Sequence, residues 1–287
     1  GECNLVHNVS QQLPIFTLSE VLGIPEEDRQ KLVSWMEFLE LAQYFTYEII
    51  KEQNEGKTDS TPDPAMIEMF NAMVDEMFDY GRFILKEKRK NPSEDLLSAI
   101  ANAEIDGEKL TDEFLDGSWL LIIFAGNDTT RNTMSGGIKL LHENQKQKEL
   151  LMQDSDLLPN FIHETIRCVS PVIHMRRTSL EETEIGGQRI GPFEKISLWY
   201  GAANRDPDIF ENPNEFNILR ANADKHLAFG IGRHTCLGKP IALMQLNEFY
   251  LQFLNRFKDY ELNGEWKVAP NNFVHAIQEM PIKFTPE

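Results

Sequence analysis

The sequence predicts a mainly α-helical protein with a small β component, organised as a single domain over residues 1–287. Three observations predict it. Apolar residues recur at three- and four-residue spacing through most of the first two thirds of the chain, the period of one buried helical face. Strand patterns are short and confined to the last third. With 287 residues, 41% of them apolar and 26% charged, the chain can bury a real core and is neither disordered nor fibrous.

Ser10 to Leu22 is apolar at helical spacing and is stopped by Gly23-Ile24-Pro25. Glu26 to Ala42 then opens on acidic residues and carries Leu32, Trp35, Met36 and Leu39 on one face. Lys51 to Asp63 is polar, holds Gly, Asn, Ser, Thr and Pro, and reads as a loop. Pro64 suits the first turn of a long amphipathic helix. Its stripe runs Met66, Met69, Phe70, Met73, Met77, Phe83 and Ile84, up to the basic end Lys86 to Lys90 that complements the helix dipole. This methionine-rich face is either ordinary core or an adaptable roof over a flexible apolar ligand. Leu96 to Ala103 forms a short helix, and Thr111-Asp112-Glu113 caps a much longer one reaching about His142. Glu184 to Ile190 reads as a hairpin, Lys195 to Tyr200 as a short buried strand, and Val274 to Phe284 as terminal edge strands. A helix from Cys236 to about Phe257 lies between the last two. The chain shows no internal repeat and no low-complexity tract.

Charge and composition exclude several function classes. Lys+Arg 28 against Asp+Glu 46 gives a net charge of −18, which repels phosphate backbones and anionic lipid and argues against nucleic acid or membrane as the main partner. The longest apolar run, Trp119 to Ala125, is far below the ~20 residues of a bilayer span, and Gly-Glu-Cys at the start has no basic, apolar signal pattern, so neither membrane anchor nor secretory signal is expected. Three widely spaced cysteines, Cys3, Cys168 and Cys236, suggest neither a disulfide framework nor a thiolate zinc cage. A reducing cytoplasm fits them.

Three local patterns carry chemistry. The sharpest is Phe229-Gly-Ile-Gly-Arg-His-Thr-Cys236-Leu-Gly238. Its alternate glycines let the backbone turn tightly and approach a flat partner, and its cysteine stands where a helix is expected to begin. Helix-end potential and the amides of Leu237 and Gly238 would stabilise a thiolate there, leaving it as a metal ligand. A buried structural cysteine beside a Gly turn is the alternative, but it leaves the register of Phe, Gly, Gly, His, Cys and Gly unexplained. A zinc site from His226, His234 and Cys236 lacks a fourth ligand at usual spacing. The second pattern, Ala125-Gly126-Asn127-Asp128-Thr129-Thr130, interrupts the long helix with a glycine, an acid and two hydroxyls. A Thr129 hydroxyl bonded to the Ala125 carbonyl would bend the helix into a groove for dioxygen and water, with Asp128 placed to move protons inward. Alone, the same hexapeptide equally describes a solvated patch or an idle kink. Third, Glu164 and Arg167 stand at i, i+3 on one helical face, which by itself describes an exposed salt bridge worth ~0.2–0.5 kcal/mol.

In this order, the helix-groove motif, Glu-x-x-Arg and the cysteine in its Gly turn resemble those of cytochrome P450, the heme-thiolate monooxygenases, over nearly the whole chain. The resemblance implies that fold, a heme b cofactor, and Cys236 as the axial ligand whose electron density favours O–O cleavage. It implies that Glu164 and Arg167 pair with Arg220 to hold the segment on the heme side. Arg177 and His234 match the residues that meet the heme propionates, and Phe229, Leu237, Gly238 and Ala125 match further heme contacts. Asp128 and Thr129 match the pair that delivers protons during oxygen activation. Family members are substantially longer, so the resemblance implies a chain lacking the family's N-terminal portion, whether as a fragment or as a truncated form. Without it the distal pocket would be partly open, and heme affinity and the coupling of oxygen use to product would both suffer.

Gly126 to Gly137 and Ser170 to Thr178 look like soluble bacterial members that hydroxylate terminal carbons of alkanes and fatty acids, with steroid and terpene hydroxylases close behind. By position the substrate pocket is lined by Leu121, Phe124, Ala125, Ile173, Met175, Phe273 and Val274, an apolar set that binds by desolvation, although any of them could equally be plain core. The expected activity inserts one oxygen atom from O2 into an apolar small molecule, with two electrons from outside. Between Arg220 and Pro240 stand four basic residues and one acid, and Lys225, Arg233 and Lys239 could form a landing patch for an acidic ferredoxin-type donor or a bland solvated face. The rival expectation is a truncated heme-binding remnant without turnover. A peroxide-driven or reductive heme enzyme is a third, disfavoured by the presence of Asp128 and Thr129.

Overall fold

A computed structural model describes residues 1–56, 63–271 and 273–285, the side chains of 40–48 and 53 excepted. In chain order it contains β1 (Glu2–Asn4), α1 (Gln12–Leu22), α2 (Arg29–Asn54), α3 (Pro64–Lys90), α4 (Leu96–Asn102), β2 (Glu104–Ile105), β3 (Glu108–Lys109) and α5 (Asp112–Glu143). Then follow α6 (Gln145–Gln153), α7 (Leu158–Val169), β4 (His174–Thr178), β5 (Thr183–Ile185), β6 (Gln188–Ile190), β7 (Lys195–Trp199), α8 (Tyr200–Ala203) and α9 (Lys239–Arg256). Short strands β8 (Glu261–Leu262), β9 (Lys267–Val268), β10 (Ile277–Glu279) and β11 (Pro281–Lys283) end the chain. The molecule is mainly helical, as expected, and forms two compact units: residues 11–128, and residues 1–10 with 129–287.

Apart from the short β2-β3 hairpin, the 11–128 unit is helical. Gly23 closes α1 in the left-handed region, φ 63°, where its N–H reaches the Ser19 and Glu20 carbonyls and Pro25 forbids continuation. Asp63 caps α3 by accepting from Ala65 N at 2.9 Å, and Thr111 Oγ1 accepts from Phe114 N at 3.3 Å at the start of α5. The core gathers Leu22, Leu32, Trp35, Met36, Met77, Ile84, Leu85, Trp119 and Ile123. Trp119 stands edge-on to Trp35 at 6.3 Å and donates Nε1–H to the Met77 carbonyl at 2.9 Å. A Cβ on Gly81 would lie 2.5 Å from Trp119 Cδ1, so glycine is what lets the indole seat on α3. The α3 stripe differs from its expected course: its buried positions are Met77, Gly81, Ile84 and Leu85, while Met69, Phe70 and Phe83 are exposed. Glu26–Asp28 is a separate turn, and α2 runs through Asn54, beyond the expected end at Ala42. Residues 57–62 of the expected loop lie outside the described residues.

In the other unit, α7 and α9 pack closely, with Phe161 against Tyr250 at 4.7 Å between ring centres. Tyr250 Oη donates to the Thr133 carbonyl of α5 at 2.6 Å, and Tyr260 Oη to that of Ile138 at 3.1 Å. A Cβ on Gly137 would sit 2.1 Å from Tyr250 Oη, so this glycine sets the approach of α9 to α5. The sheets are small and antiparallel: β1-β11-β8, β10-β9, β4-β7 and β5-β6. The hairpin around Gly186-Gly187 forms as expected, both glycines at positive φ. Strand β7 does not fit the expected buried strand: four of its five residues are exposed.

Candidate functional site

Glu164 and Arg167 lie on α7, whose strongly one-sided apolar pattern buries the face that carries them. They are not a surface pair: both side chains have zero exposure. Arg167 Nε reaches Glu164 Oε2 at 2.7 Å and Nη2 reaches Oε1 at 2.8 Å, a bidentate fork, while Arg220 Nε approaches both oxygens at 3.1 Å. Two buried guanidinium charges thus share one carboxylate. The deficit is met by carbonyls of the 204–215 segment: Asn204, Pro213 and Glu215 accept from Arg167, and Glu211, Asn212 and Glu215 from Arg220. The Asn217 amide completes the Glu164 shell at 2.9 Å. Burial works against the charge on Arg167, but the Glu164 hydrogen bond and the neighbouring Cys168 and Glu164 charges hold its pKa above the ordinary value.

The segment held by this cluster leads into the cysteine loop. Cys236 N–H donates to the Phe229 carbonyl at 2.8 Å, closing the loop on itself. Gly230 and Gly232 take φ 70° and 71°, and a Cβ on Gly230 would meet the His234 carbonyl at 3.0 Å, so the register of this motif is a backbone requirement. Cys236 is exposed, with the large apolar side chains of Ile231 and Leu237 exposed at 75% and 77% in the same loop. The other cysteines are chemically muted: burial raises the Cys3 thiol and pushes that of Cys168 up to about 11. An exposed sulfur, exposed apolar neighbours and a glycine-tightened backbone fit a flat, apolar cofactor with a soft metal. Among the described residues no group of three or more His, Cys, Asp or Glu could hold a metal ion. Helix α9 begins at Lys239, not at Cys236 as expected, with Gly238 as its N-cap. The physical reason is that Thr235 is still extended, ψ 137°, as the loop closes through Cys236 N–H to Phe229, and the helical run starts only after Gly238 with Pro240 in its first turn.

Arg177 sits half-buried on β4, its register partner Ile196 on β7, and donates Nη1–H to the Arg176 carbonyl at 2.9 Å. His234 is exposed in the turn Gly232–His234. The apolar candidates of this unit converge in part: Ile173 N–H donates to the Phe273 carbonyl at 2.8 Å, Val172 bridges Val274, and Met175 pairs with Leu198. Ile173, Met175 and Phe273 are half-buried, whereas Val274 is buried. Of the basic residues, Arg220 is 93% withdrawn from solvent into the Glu164 cluster, Lys225 and Arg233 are exposed, and Lys239 places Nζ 5.6 Å from the centre of the Phe229 ring.

In the 11–128 unit, Leu121, Phe124, Ala125 and Asp128 share α5. Leu121 and Ala125 are exposed, Phe124 is half-buried and Asp128 is buried, 4% exposed. Asn127, fully buried, donates Nδ2–H toward Asp128 Oδ1 at 3.4 Å. Gly126 packs at the side chain of Leu18, where an added Cβ would stand 3.1 Å from Cδ1. Helix α5 is continuous through Ala125 to Thr130, within the one long helix expected up to about His142. Thr129, at the start of the other unit, is half-buried, and its carbonyl accepts from Thr133 Oγ1 at 2.8 Å, so the Thr133 hydroxyl is satisfied along the helix without breaking it.

Sequence reasoning missed two groups. Asn204 donates to Ser170 Oγ at 2.9 Å and accepts from Leu227 N–H at 2.6 Å, tying the segment before the cysteine loop to the end of α7. His163 and His226 meet at 3.3 Å, Nδ1 to Nε2. No periodicity marks such contacts; the only signal for the second is that His163 directly precedes Glu164 and His226 stands three residues before Phe229, where the loop motif begins.

The family described as Cytochrome P450 matches residues 57–284. Among similar curated proteins are Cytochrome P450-terp of a Pseudomonas species, 32% identical over 99% of this chain and 65% of its own length, and the steroid C26-monooxygenase of Mycobacterium tuberculosis, 33% identical over 100% and 73%. The linalool 8-monooxygenase of Pseudomonas putida is 32% identical over 100% and 66%. The chain thus spans about two thirds of the length of the relatives it matches. Among solved structures, P450BioI in complex with a hexadec-9Z-enoic acid-ligated acyl carrier protein superposes with a TM-score of 0.84 at 28% identity, covering 99% of this chain and 69% of that one. Substrate-free CYP109E1 of Bacillus megaterium superposes with a TM-score of 0.84 at 29% identity, covering 100% and 71%.

Proposed function

The chain belongs to the cytochrome P450 family, and from that premise we propose that it is a heme-thiolate monooxygenase that hydroxylates an apolar small molecule with O2 and two electrons from a ferredoxin-type donor. The observation that carries this reading is Cys236: the exposed cysteine of the three, in a loop fixed by Gly230, Gly232 and the Phe229 carbonyl. Heme b, when bound, supplies the activation of dioxygen. In this reading Cys236 would ligate the heme iron, Phe229, Leu237, Gly238 and Ala125 would contact the macrocycle, and Arg177 and His234 would meet its propionates. The Glu164–Arg167–Arg220 cluster is structural and fixes the segment from which the ligand loop starts.

Asp128 and Thr129 take the proton-delivery role. Asp128 is a buried carboxylate and Thr129 carries a half-buried hydroxyl; in this reading the carboxylate takes up a proton and the hydroxyl hands it on. Leu121, Phe124, Ile173, Met175, Phe273 and Val274 supply apolar contacts to a substrate of the alkane, fatty-acid, terpene or steroid kind, in line with relatives named for steroid, linalool and methyl-branched lipid oxidation. Lys225, Arg233 and Lys239 offer the acidic donor a basic surface on an otherwise acidic chain. We place the reaction in the cytoplasm as one catalytic domain, which three widely spaced free cysteines fit.

The test is turnover with isotope-labelled dioxygen and a surrogate ferredoxin system against a panel of medium-chain alkanes, fatty acids, terpenes and sterols. One labelled oxygen in the product supports the reading. Heme loading and reduction with no oxygenated product from any member would favour a heme-binding remnant.

A further inference from the structure

The His163–His226 pair lies outside every role assigned above, yet it touches the ligand loop at its root. His226 Nδ1 accepts from the Ala228 amide at 3.3 Å, so in the neutral ring the proton is on Nε2, and that N–H faces His163 Nδ1 at 3.3 Å. The direction of the pair is thereby fixed: His226 donates, His163 accepts and keeps its own proton on Nε2. The His226 ring also packs on Phe229, centres 5.7 Å apart, and the Phe229 carbonyl receives the Cys236 amide. A continuous line therefore runs from α7 through His163, His226, Ala228 and Phe229 to Cys236, all within one compact unit.

We propose that His226 is a positioning residue for the Cys236 ligand: as donor to His163 on α7 and acceptor from Ala228, it holds the entry of the ligand loop at a set height above that helix. The inference rests on Cys236 being the heme ligand. Both ring nitrogens are used in opposite senses, which only a neutral histidine can do, and the site keeps it neutral: burial first, then the nearby His163, Lys239 and Arg167 against the opposing Asp224, hold its pKa down at about 4. Asn204 anchors the adjacent Leu227 independently, so loss of His226 releases the Ala228 end of the segment and leaves its other end tied.

The test uses the full chain with heme, in four forms. His226→Phe keeps a ring against Phe229 but removes both nitrogens; His163→Leu removes the acceptor; His163→Gln restores one through its amide oxygen. Amide hydrogen exchange is read at Ala228, Cys236 and, as a control, Asn217, together with the Soret position of the reduced carbonyl complex. In His226→Phe, exchange at Ala228 and Cys236 should accelerate by about tenfold or more while Asn217 stays unchanged, and the thiolate-type Soret band should give way to that of a neutral thiol. His163→Leu should move both readouts the same way and His163→Gln should bring them back, which a general loss of stability would not do. If His226→Phe does not fold, the His163 pair decides. Unchanged exchange and an unchanged band in His226→Phe, or in both His163 variants, would overturn the proposal. A wild type without the thiolate band would overturn the assignment of Cys236 itself, and with it any ligand-positioning role.

Discussion

A single carboxylate, Glu164, holds two guanidinium groups at full burial, and residue-scale consequences follow from that imbalance. Glu164→Ala leaves two buried positive charges facing only carbonyls, at a cost of ~3–5 kcal/mol, so little soluble heme-loaded protein is expected; Arg167→Ala behaves likewise. Soluble yield and heme-to-protein ratio check this, and normal values in both variants would reduce the cluster to an ordinary ion pair. Thr129→Ala makes a different prediction: binding of heme and of apolar ligands persists, while product formed per reductant oxidised falls by about tenfold or more, because proton delivery is impaired. Product and reductant are measured in the same incubation, and an unchanged ratio would remove Thr129 from that role. The Glu164–Arg167 spacing was legible because i, i+3 residues share a helix face. Their burial was not, because it depends on carbonyls of Asn204, Pro213 and Glu215, and a main-chain acceptor leaves no mark in a sequence.

Among the elements, the contact of α5 with α9 turns on one missing methyl group. Gly137→Ala would drive a Cβ into Tyr250 Oη and dislodge it from the Thr133 carbonyl, at a cost of roughly 1–3 kcal/mol, whereas Tyr250→Phe gives up only the hydrogen bond, about 1 kcal/mol. Denaturant unfolding of the two variants compares them; a larger loss in Tyr250→Phe would contradict the packing account. Long helices were legible from their apolar period and their stops, as with Gly23-Ile24-Pro25 closing α1. The start of α9 was misplaced because loop closure by Thr235 and Cys236 is decided by φ at Gly230 and Gly232 and not by propensity. Strand β1 escaped notice because three residues find their register only against β11 at the opposite end of the chain.

For the molecule as a whole, acidity and ionic strength give two further outcomes. His226 has a pKa near 4 in the fold against its ordinary 6.5, so the unfolded chain takes up a proton that the folded one refuses. The stability it permits is complete above about pH 6.5 and declines as pH falls toward 4, by about 1 kcal/mol between pH 7.5 and 5.5. Unfolding at those two pH values should show the loss, and His226→Gln should reduce it; an equal loss in both proteins would assign it to other groups. If Lys225, Arg233 and Lys239 receive an acidic donor, the second-order reduction rate falls with added salt, and charge reversal at Lys225 and Arg233 removes most of that dependence. Stopped-flow reduction at several ionic strengths checks this, and a salt-independent rate would remove the patch. The fold class and the tight glycine turn before Cys236 were readable from the chain, while the division into two compact units was not, since its boundary falls inside helix α5 between Asp128 and Thr129. Everything functional depends on Cys236 as the heme ligand, and the most direct measurement of it is the absorption spectrum of the reduced carbonyl complex. One b-type heme with the far red-shifted Soret band of thiolate ligation is expected in the wild type, and its loss in Cys236→His; a globin-like, histidine-ligated spectrum in the wild type would contradict Cys236 as the ligand.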